Sequence, residues 1–280
     1  MKYLKRLKIS FVMMLLCILF SPNWNMQASF QSEAKQLWER AIAAKGGRER
    51  LHAIRNIAIS SSGSYKPLRF RIKPGESITS RSLKRSGIVR EELYVLPSKF
   101  WAWNDLRPAV FGLRVTMYNY ETKMKYVISE GEPNRPPEAI EDNELSSELQ
   151  RTLAPVQILY LMESRWIRPE PVNVNTVRIG SREFDVLQTE VAGERVDFTI
   201  NRKTHLPVRI TFYNQLEGKV YTNVLKLSNY IDVDGIRVPL TIEMDDGHEE
   251  RSIVKFNVEY NDDIFLKSPP IEAGPEAWKK

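Results

Sequence analysis

Apolar and polar side chains alternate along most of the last third of the chain. This period of two is typical of strands that are buried on one face only. Asp-Gly pairs and other turn residues separate the runs, which predicts hairpins and an antiparallel meander. The apolar positions of the four clearest runs are Val196, Phe198 and Ile200; Leu206, Val208, Ile210 and Phe212; Ile236, Val238, Leu240, Ile242 and Met244; and Val254, Phe256, Val258 and Tyr260.

Near the start of the chain the apolar spacing becomes helical. Between Ser32 and Lys45 the apolar residues recur at intervals of three and four, which predicts a helix with Ser32 as its N-cap. Gly46-Gly47 then predicts the end of this helix, because glycine tolerates the backbone conformation of a helix stop. A short helical turn over 48–53 and an extended segment are expected to follow.

The apolar face of the predicted sheet must be covered, because burying a large apolar side chain contributes about 1.5–3 kcal/mol. The helix over 32–45 can cover it. So can a second helical stretch, Ser147–Met162, in which Pro155 either kinks the helix or begins a new one. A bound apolar ligand is the third possibility. The sequence therefore predicts a mainly β (α+β) fold covered by an N-terminal helix and a mid-chain helical lid, with either a cavity or a closed core.

The first 28 residues have the pattern of a secretory signal peptide. A basic segment, Lys2–Lys8, precedes an apolar run, Ile9–Phe20, and Pro22 opens a polar stretch that ends near Ala28. The run covers 12 positions, fewer than the roughly 20 that a membrane-spanning helix needs. We therefore expect residues 1–28 to be removed and 29–280 to form a single domain in the periplasm or cell envelope.

Removal of this segment changes both the cysteine count and the charge. Cys17 is the only cysteine, so the mature chain has no thiol, which excludes disulfides, thiolate zinc sites and a cysteine nucleophile. Residues 1–28 contain four basic and no acidic groups, so the net charge falls from +6 to +2 without them. A balance this close to neutral does not indicate nucleic acid as a partner.

Two charged blocks remain in the mature chain. Lys66–Arg90 contains eight basic residues and one acidic residue, and Glu130–Glu148 contains seven acidic residues and one arginine. The basic block suits an anionic membrane surface or an envelope protein partner. Solvated loops and strand faces explain both blocks as well.

The sequence contains none of the common catalytic signatures. The G-x-S-x-G, H-E-x-x-H and phosphate-loop motifs are absent. Asp232-x-Asp234-Gly235 resembles the start of a calcium loop without its later ligands, and a hairpin turn explains it more simply. Of the three histidines, His205 and His248 lie in or beside turns, and we expect His52 to be a surface residue of the short helical turn. We therefore expect a protein that is not an enzyme and has no cofactor or metal.

Two groups of motifs carry a family resemblance. They are Trp38-x-x-Ala41-Ile42, Lys45-Gly46-Gly47 and Leu51-x-x-Ile54 near the start, and Thr204–Arg209, Ser228–Tyr230, Val233–Pro239 and Phe265 before Pro269 near the end. The chain resembles the outer-membrane lipoprotein carriers and lipoprotein-sorting proteins (LolA/LppX-like). This resemblance implies a strongly curved antiparallel half-barrel that is closed by helices and holds lipid acyl chains or lipoproteins, for transport or sorting to the outer membrane. A non-enzymatic envelope scaffold with a dry core is the alternative.

Five large side chains are the candidate lipid-binding residues of such a cavity. Trp101 and Trp103 alternate in an extended stretch and therefore share one sheet face. Leu159, Met162 and Trp166 follow a helical spacing, which puts them on one stripe if the helix continues that far. Aromatic and methionine side chains suit variable acyl chains, and they suit a plain core equally well.

Overall fold

The computed structural model describes residues 23–65, 87–107, 112–133, 135–142, 152–216, 219–245, 248–267 and 271–280. The basic and apolar segments of the predicted signal peptide lie outside the described residues. So do most of the basic block and residues 147–151 of the predicted second helical stretch.

The described residues include three α-helices: α1 (Asn23–Lys45), α2 (Arg48–Ala53) and α3 (Ala154–Leu161). The break between α1 and α2 confirms the predicted stop at Gly46-Gly47, where the two glycines have φ values of 140° and 88°. The predicted N-cap at Ser32 is wrong, because α1 is already helical from Asn23. Pro155 lies in the first turn of α3 and therefore begins a helix there instead of kinking one.

The described strands form one antiparallel sheet of thirteen strands. They are β1 (Asn56–Tyr65), β2 (Gly87–Val95), β3 (Lys99–Asp105), β4 (Leu113–Asn119), β5 (Met124–Ser129), β6 (Glu138–Ala139), β7 (Glu170–Ile179), β8 (Arg182–Val191), β9 (Glu194–Asn201), β10 (Pro207–Leu216), β11 (Lys219–Val233), β12 (Ile236–Met244) and β13 (His248–Phe256). Strands that are neighbours in the chain are neighbours in the sheet, except β6 and β7, which lie at opposite edges. β1 pairs with β13, and Ile57 lies opposite Phe256. The sheet is open, with β6 and β7 at its edges, and curled, which confirms the predicted half-barrel.

The helices cover one face of the curled sheet, the helix-covered face, and form the main core with it. α1 buries Ala34, Leu37, Trp38, Ala41 and Ile42, the stripe that its spacing predicts. The alternating strands direct their apolar positions toward the same core, as the pattern predicts. They include Val196, Phe198, Ile200, Ile210, Phe212, Ile242 and Val254.

Strands β1 to β5 are also buried on their other face, the outer face, and the alternation pattern did not predict this. On β3 the four successive residues 100–103 are all buried. The C-terminal segment covers the outer face with Ile264, Phe265, Ile271 and Trp278. Asn119 Nδ2 on β4 donates a hydrogen bond to the carbonyl of Phe265 over 3.1 Å, which fixes the segment to the sheet.

Candidate functional site

Trp101 and Trp103 lie together on the outer face, as their alternation predicts. Trp101 is fully buried between its strand neighbours Leu93 and Met117, and Trp103 is 8% exposed in the same cluster. The C-terminal segment covers both. The sheet therefore separates these two tryptophans from the helices, and they do not share a lining with the other three candidates.

Leu159, Met162 and Trp166 lie on the helix-covered side, although not on one helical stripe. α3 ends at Leu161, and the positive φ of 64° at Met162 turns the chain out of the helix. Leu159 and Met162 are buried in the main core, whereas Trp166 is half-buried and packs against its edge. The expected stripe is therefore interrupted before Trp166. Lipid binding by any of the five residues stays a prediction.

A cavity of about 480 Å³ opens beside Trp166. It lies between the start of α3, the segment 165–168 and the turns that follow β2 and β8. Its volume falls within the range of about 300–1,000 Å³ that small-molecule sites occupy. Gln157, Arg165 and Arg168 supply polar groups, and the main apolar lining residues are Pro97, Leu153, Ala154, Trp166, Ile167 and Val191.

The buried hydroxyl of Ser164 stabilises the turn over residues 164–168, the cavity segment. Ser164 Oγ donates to Gln157 Oε1 over 2.7 Å and accepts from the backbone N–H groups of Trp166 and Ile167 at 3.2 and 3.0 Å. The N–H of Ser164 donates to the carbonyl of Ile167 over 2.8 Å. These bonds tie the turn to α3, so the side chains of residues 165–168 extend from a preorganised wall.

Glu163, which precedes this segment, is buried and bound by three side chains. Its carboxylate accepts hydrogen bonds from Trp38 Nε1 at 3.0 Å and Arg48 Nε at 2.7 Å, and it lies 2.7 Å from His52 Nε2. Burial raises the pKa of Glu163, but the hydrogen bonds from Arg48, Trp38 and His52 outweigh it, and the pKa lies below its ordinary value. The charged carboxylate therefore ties the cavity segment to α1 and α2.

Sequence reasoning missed this cluster and the polar part of the cavity. His52 is half-buried against Glu163 and is not the plain surface residue that we expected. Trp38 and Glu163 are 125 positions apart, so no local spacing connects them. Arg165 and Arg168 could have been found, because two arginines enclose the Trp166-Ile167 pair and give it an amphipathic pattern.

The motifs of the family resemblance meet at the junction of α1 and α2. A Cβ on Gly46 would lie 2.5 Å from the carbonyl oxygen of Gly235, so only glycine allows this hairpin to approach so closely. Lys45 is fully buried, with Nζ 5.4 Å from the centroid of the Tyr230 ring, and burial lowers the pKa of Lys45 to about 7. Tyr230 Oη donates to the carbonyl of Pro207 over 2.7 Å. The motifs therefore pack two hairpins against the helices.

Three solved structures of known proteins are similar to most of this chain at low sequence identity. A LolA superfamily protein from Nitrosomonas europaea is 12% identical over 84% of this chain and 97% of that chain, with a TM-score of 0.45. A DUF1329 family protein from Desulfovibrio piger is 11% identical over 83% and 96%, with a TM-score of 0.47. An outer membrane lipoprotein-sorting protein domain from Vibrio parahaemolyticus is 10% identical over 83% and 97%, with a TM-score of 0.44.

Two of these proteins bear the names of the group that the sequence motifs resemble. No family model matches the chain, and no curated protein matches its sequence. The function is therefore inferred from the residues of this chain.

Among the described residues, no group of three or more His, Cys, Asp or Glu side chains could hold a metal ion. Asp232 Oδ1 accepts the N–H of Gly235 over 2.9 Å, which is the expected hairpin turn. In the same parts of the chain, no helix has the length and apolar character that crossing a bilayer requires.

Proposed function

We propose that this protein is exported to the periplasm or cell envelope and binds the acyl chain of a lipid or lipoprotein, for transport or sorting to the outer membrane. The cavity beside Trp166 is the binding site in this proposal. α3 and the segment Ser164–Arg168 form its lid, and binding requires no catalysis or cofactor.

The position and lining of the cavity carry the proposal. Apolar side chains surround it at the start of α3, so a flexible apolar chain can enter beside the helix without opening the whole core. Transfer of such a chain from water is favourable by about 0.8 kcal/mol per CH₂ group. Trp166 supplies a large apolar surface at low entropic cost, because it has only two side-chain torsions.

Mass spectrometry of organic extracts tests the proposal on protein purified without detergent. We expect a reproducible acyl-chain species in the wild type and a much smaller amount in Val191→Asp, which puts a charge into the apolar lining. Ile179→Asp is the matched control, because Ile179 is 42% exposed at the opposite end of the β7–β8 pair. Extracts without lipid from all three folded proteins would contradict acyl-chain binding.

A non-enzymatic envelope scaffold is the second candidate function. The packing of α1 favours it, because every residue of its apolar stripe is at most 3% exposed, as in a closed core. A scaffold predicts that the purified protein is free of lipid and retains a stoichiometric envelope protein. The same detergent-free preparation therefore discriminates the two candidates.

Export is tested by the N-terminus of the mature protein. The proposed function expects the chain in the envelope fraction, beginning after about Ala28, since a short apolar run follows four basic residues. An intact Met1 on protein in the cytoplasm would contradict export. If the basic block Lys66–Arg90 contacts anionic membranes, binding to anionic liposomes should weaken as salt rises.

A further inference from the structure

Two arginine side chains give positive charge to a mainly apolar cavity. Arg165 and Arg168 both line it, and no carboxylate belongs to its described lining. The carboxylate that precedes them, Glu163, is buried and bound to Arg48. Among the described residues, neither Arg165 nor Arg168 forms an ion pair. A ligand in the cavity therefore meets two guanidinium groups that no carboxylate of the described residues neutralises.

The first of these guanidinium groups is held at the cavity. The Cζ atom of Arg165 lies 4.1 Å from the centroid of the Trp166 ring, and the backbone of Trp166 is bound by Ser164. Stacking on an aromatic ring fixes the plane of a guanidinium and leaves its N–H edge able to donate. Arg165 can therefore bind an anion without first losing much side-chain freedom.

A more polar groove of about 800 Å³ adjoins the cavity, and Arg165 borders both. Arg55 and Lys280 add two further positive side chains to the groove. Its acidic side chains are Glu259 and Asp262, and Lys99 Nζ already binds Asp262 over 3.1 Å. The guanidinium of Arg165 thus marks the boundary between an apolar compartment and a polar one, which is where the headgroup of an amphiphile belongs.

We propose that this cavity selects an anionic amphiphile. The inference rests on the proposed binding of acyl chains and adds the charge of the ligand. One acyl chain lies in the apolar cavity, and its carboxylate or phosphate headgroup binds Arg165 and Arg168. Arginine binds both anions through paired N–H donors, and these charge-assisted bonds are about twice as strong as neutral ones.

Isothermal titration calorimetry with decanoate, decyl phosphate and decanol tests this proposal on detergent-free, delipidated protein. The three probes share one chain and differ in the headgroup. We expect at least one of the two anions to bind at least about tenfold more tightly than decanol. One hydrogen bond to a charged group supplies a factor of this size. The tighter of the two anions identifies the headgroup as a carboxylate or a phosphate. Added salt should weaken the binding of the anion and leave the affinity for decanol unchanged.

Replacement of the arginines assigns the preference to this site. Arg165→Gln/Arg168→Gln should abolish the preference for the anion and keep the affinity for decanol. The control Arg182→Gln/Arg251→Gln removes the same charge at two exposed sites outside the cavity and should keep the preference. Equal binding of all three probes by the wild type would overturn this inference and leave acyl-chain binding intact. A lack of binding by every probe would overturn both.

Discussion

Trp38 Nε1 donates a hydrogen bond to Glu163 Oε2 over 3.0 Å, and this bond joins α1 to the segment that follows α3. Glu163 is 4% exposed and is also bound by Arg48 and His52 on the side of α2. Because Ser164 follows directly and organises the cavity wall, the cluster around Glu163 positions the candidate site relative to both N-terminal helices.

Glu163→Gln should destabilise the protein markedly. The amide keeps the shape of the carboxylate but loses the charge-assisted hydrogen bonds from Arg48. Hydrogen bonds to a charged group contribute about 1.5–3 kcal/mol. Glu39→Gln is the control, because Glu39 binds the same arginine over 2.9 Å with 58% of its side chain exposed, and it should cost less than about 1 kcal/mol. Urea unfolding measures both free energies. Equal effects of the two variants would contradict a special role for Glu163.

The contribution of Glu163 should disappear in acid. Its pKa in the folded protein is lower than the ordinary value of 4.5, so the unfolded chain binds the proton more readily. The stabilisation is therefore fully present above pH 4.5 and is lost as the pH falls through the folded-state value. The difference in unfolding free energy between wild type and Glu163→Gln should therefore shrink as the pH falls below 4.5 and through the lower pKa of the folded state. A difference that stays constant over this range would show that the charge of Glu163 contributes nothing.

Lys45→Met should stabilise the protein. Nζ of Lys45 is buried and finds no hydrogen-bond partner among the described residues, and the ring of Tyr230 replaces only part of the hydration that its charge loses. We expect a gain of about 2 kcal/mol at neutral pH from this replacement. Lys35→Met, at an exposed position of the same helix, is the control and should change stability by less than about 0.5 kcal/mol.

The pH dependence of Lys45→Met gives an independent check. The folded-state pKa of Lys45 is lowered from 10.5 to about 7, so the unfolded chain binds more protons between these values. The unfolding free energy of the wild type should therefore rise with pH across this window, and this rise should be absent in Lys45→Met. Loss of stability in the variant would mean that the ammonium is compensated in the folded protein.

The fold was largely predictable because its signals are local. Alternation predicts the C-terminal meander, and the spacing of Leu37, Trp38, Ala41 and Ile42 predicts the helix that covers it. The burial of β3 on both faces was not predictable, because it depends on Phe265 and its neighbours, more than 150 positions later in the chain. Alternation shows that two faces differ, but it does not show what covers each of them.

The candidate site was only partly predictable, for a related reason. Helical spacing put Leu159, Met162 and Trp166 on one stripe, but the helix ends at Leu161. Leu159 and Met162 are buried in the main core, and only Trp166 lines the cavity. The turn after α3 is held by Glu163, whose partners Trp38 and Arg48 lie on α1 and α2. It is also held by the buried Ser164, which binds Gln157 of α3 through its hydroxyl. Contacts of this kind leave no periodic trace in a sequence.

Substitution of two tryptophans should separate the cavity from the outer-face core. Trp101→Ala removes a fully buried side chain and should cost about 3–5 kcal/mol, while the folded protein binds decanoate like the wild type. Trp166→Ala removes a half-buried wall of the cavity, and it should weaken decanoate binding about tenfold with a smaller loss of stability. Thermal unfolding and calorimetry at a temperature where both variants are folded measure the two effects. If Trp101→Ala weakened decanoate binding as much as Trp166→Ala does, the two faces of the sheet would be coupled. The assignment of binding to the cavity beside Trp166 would then be wrong.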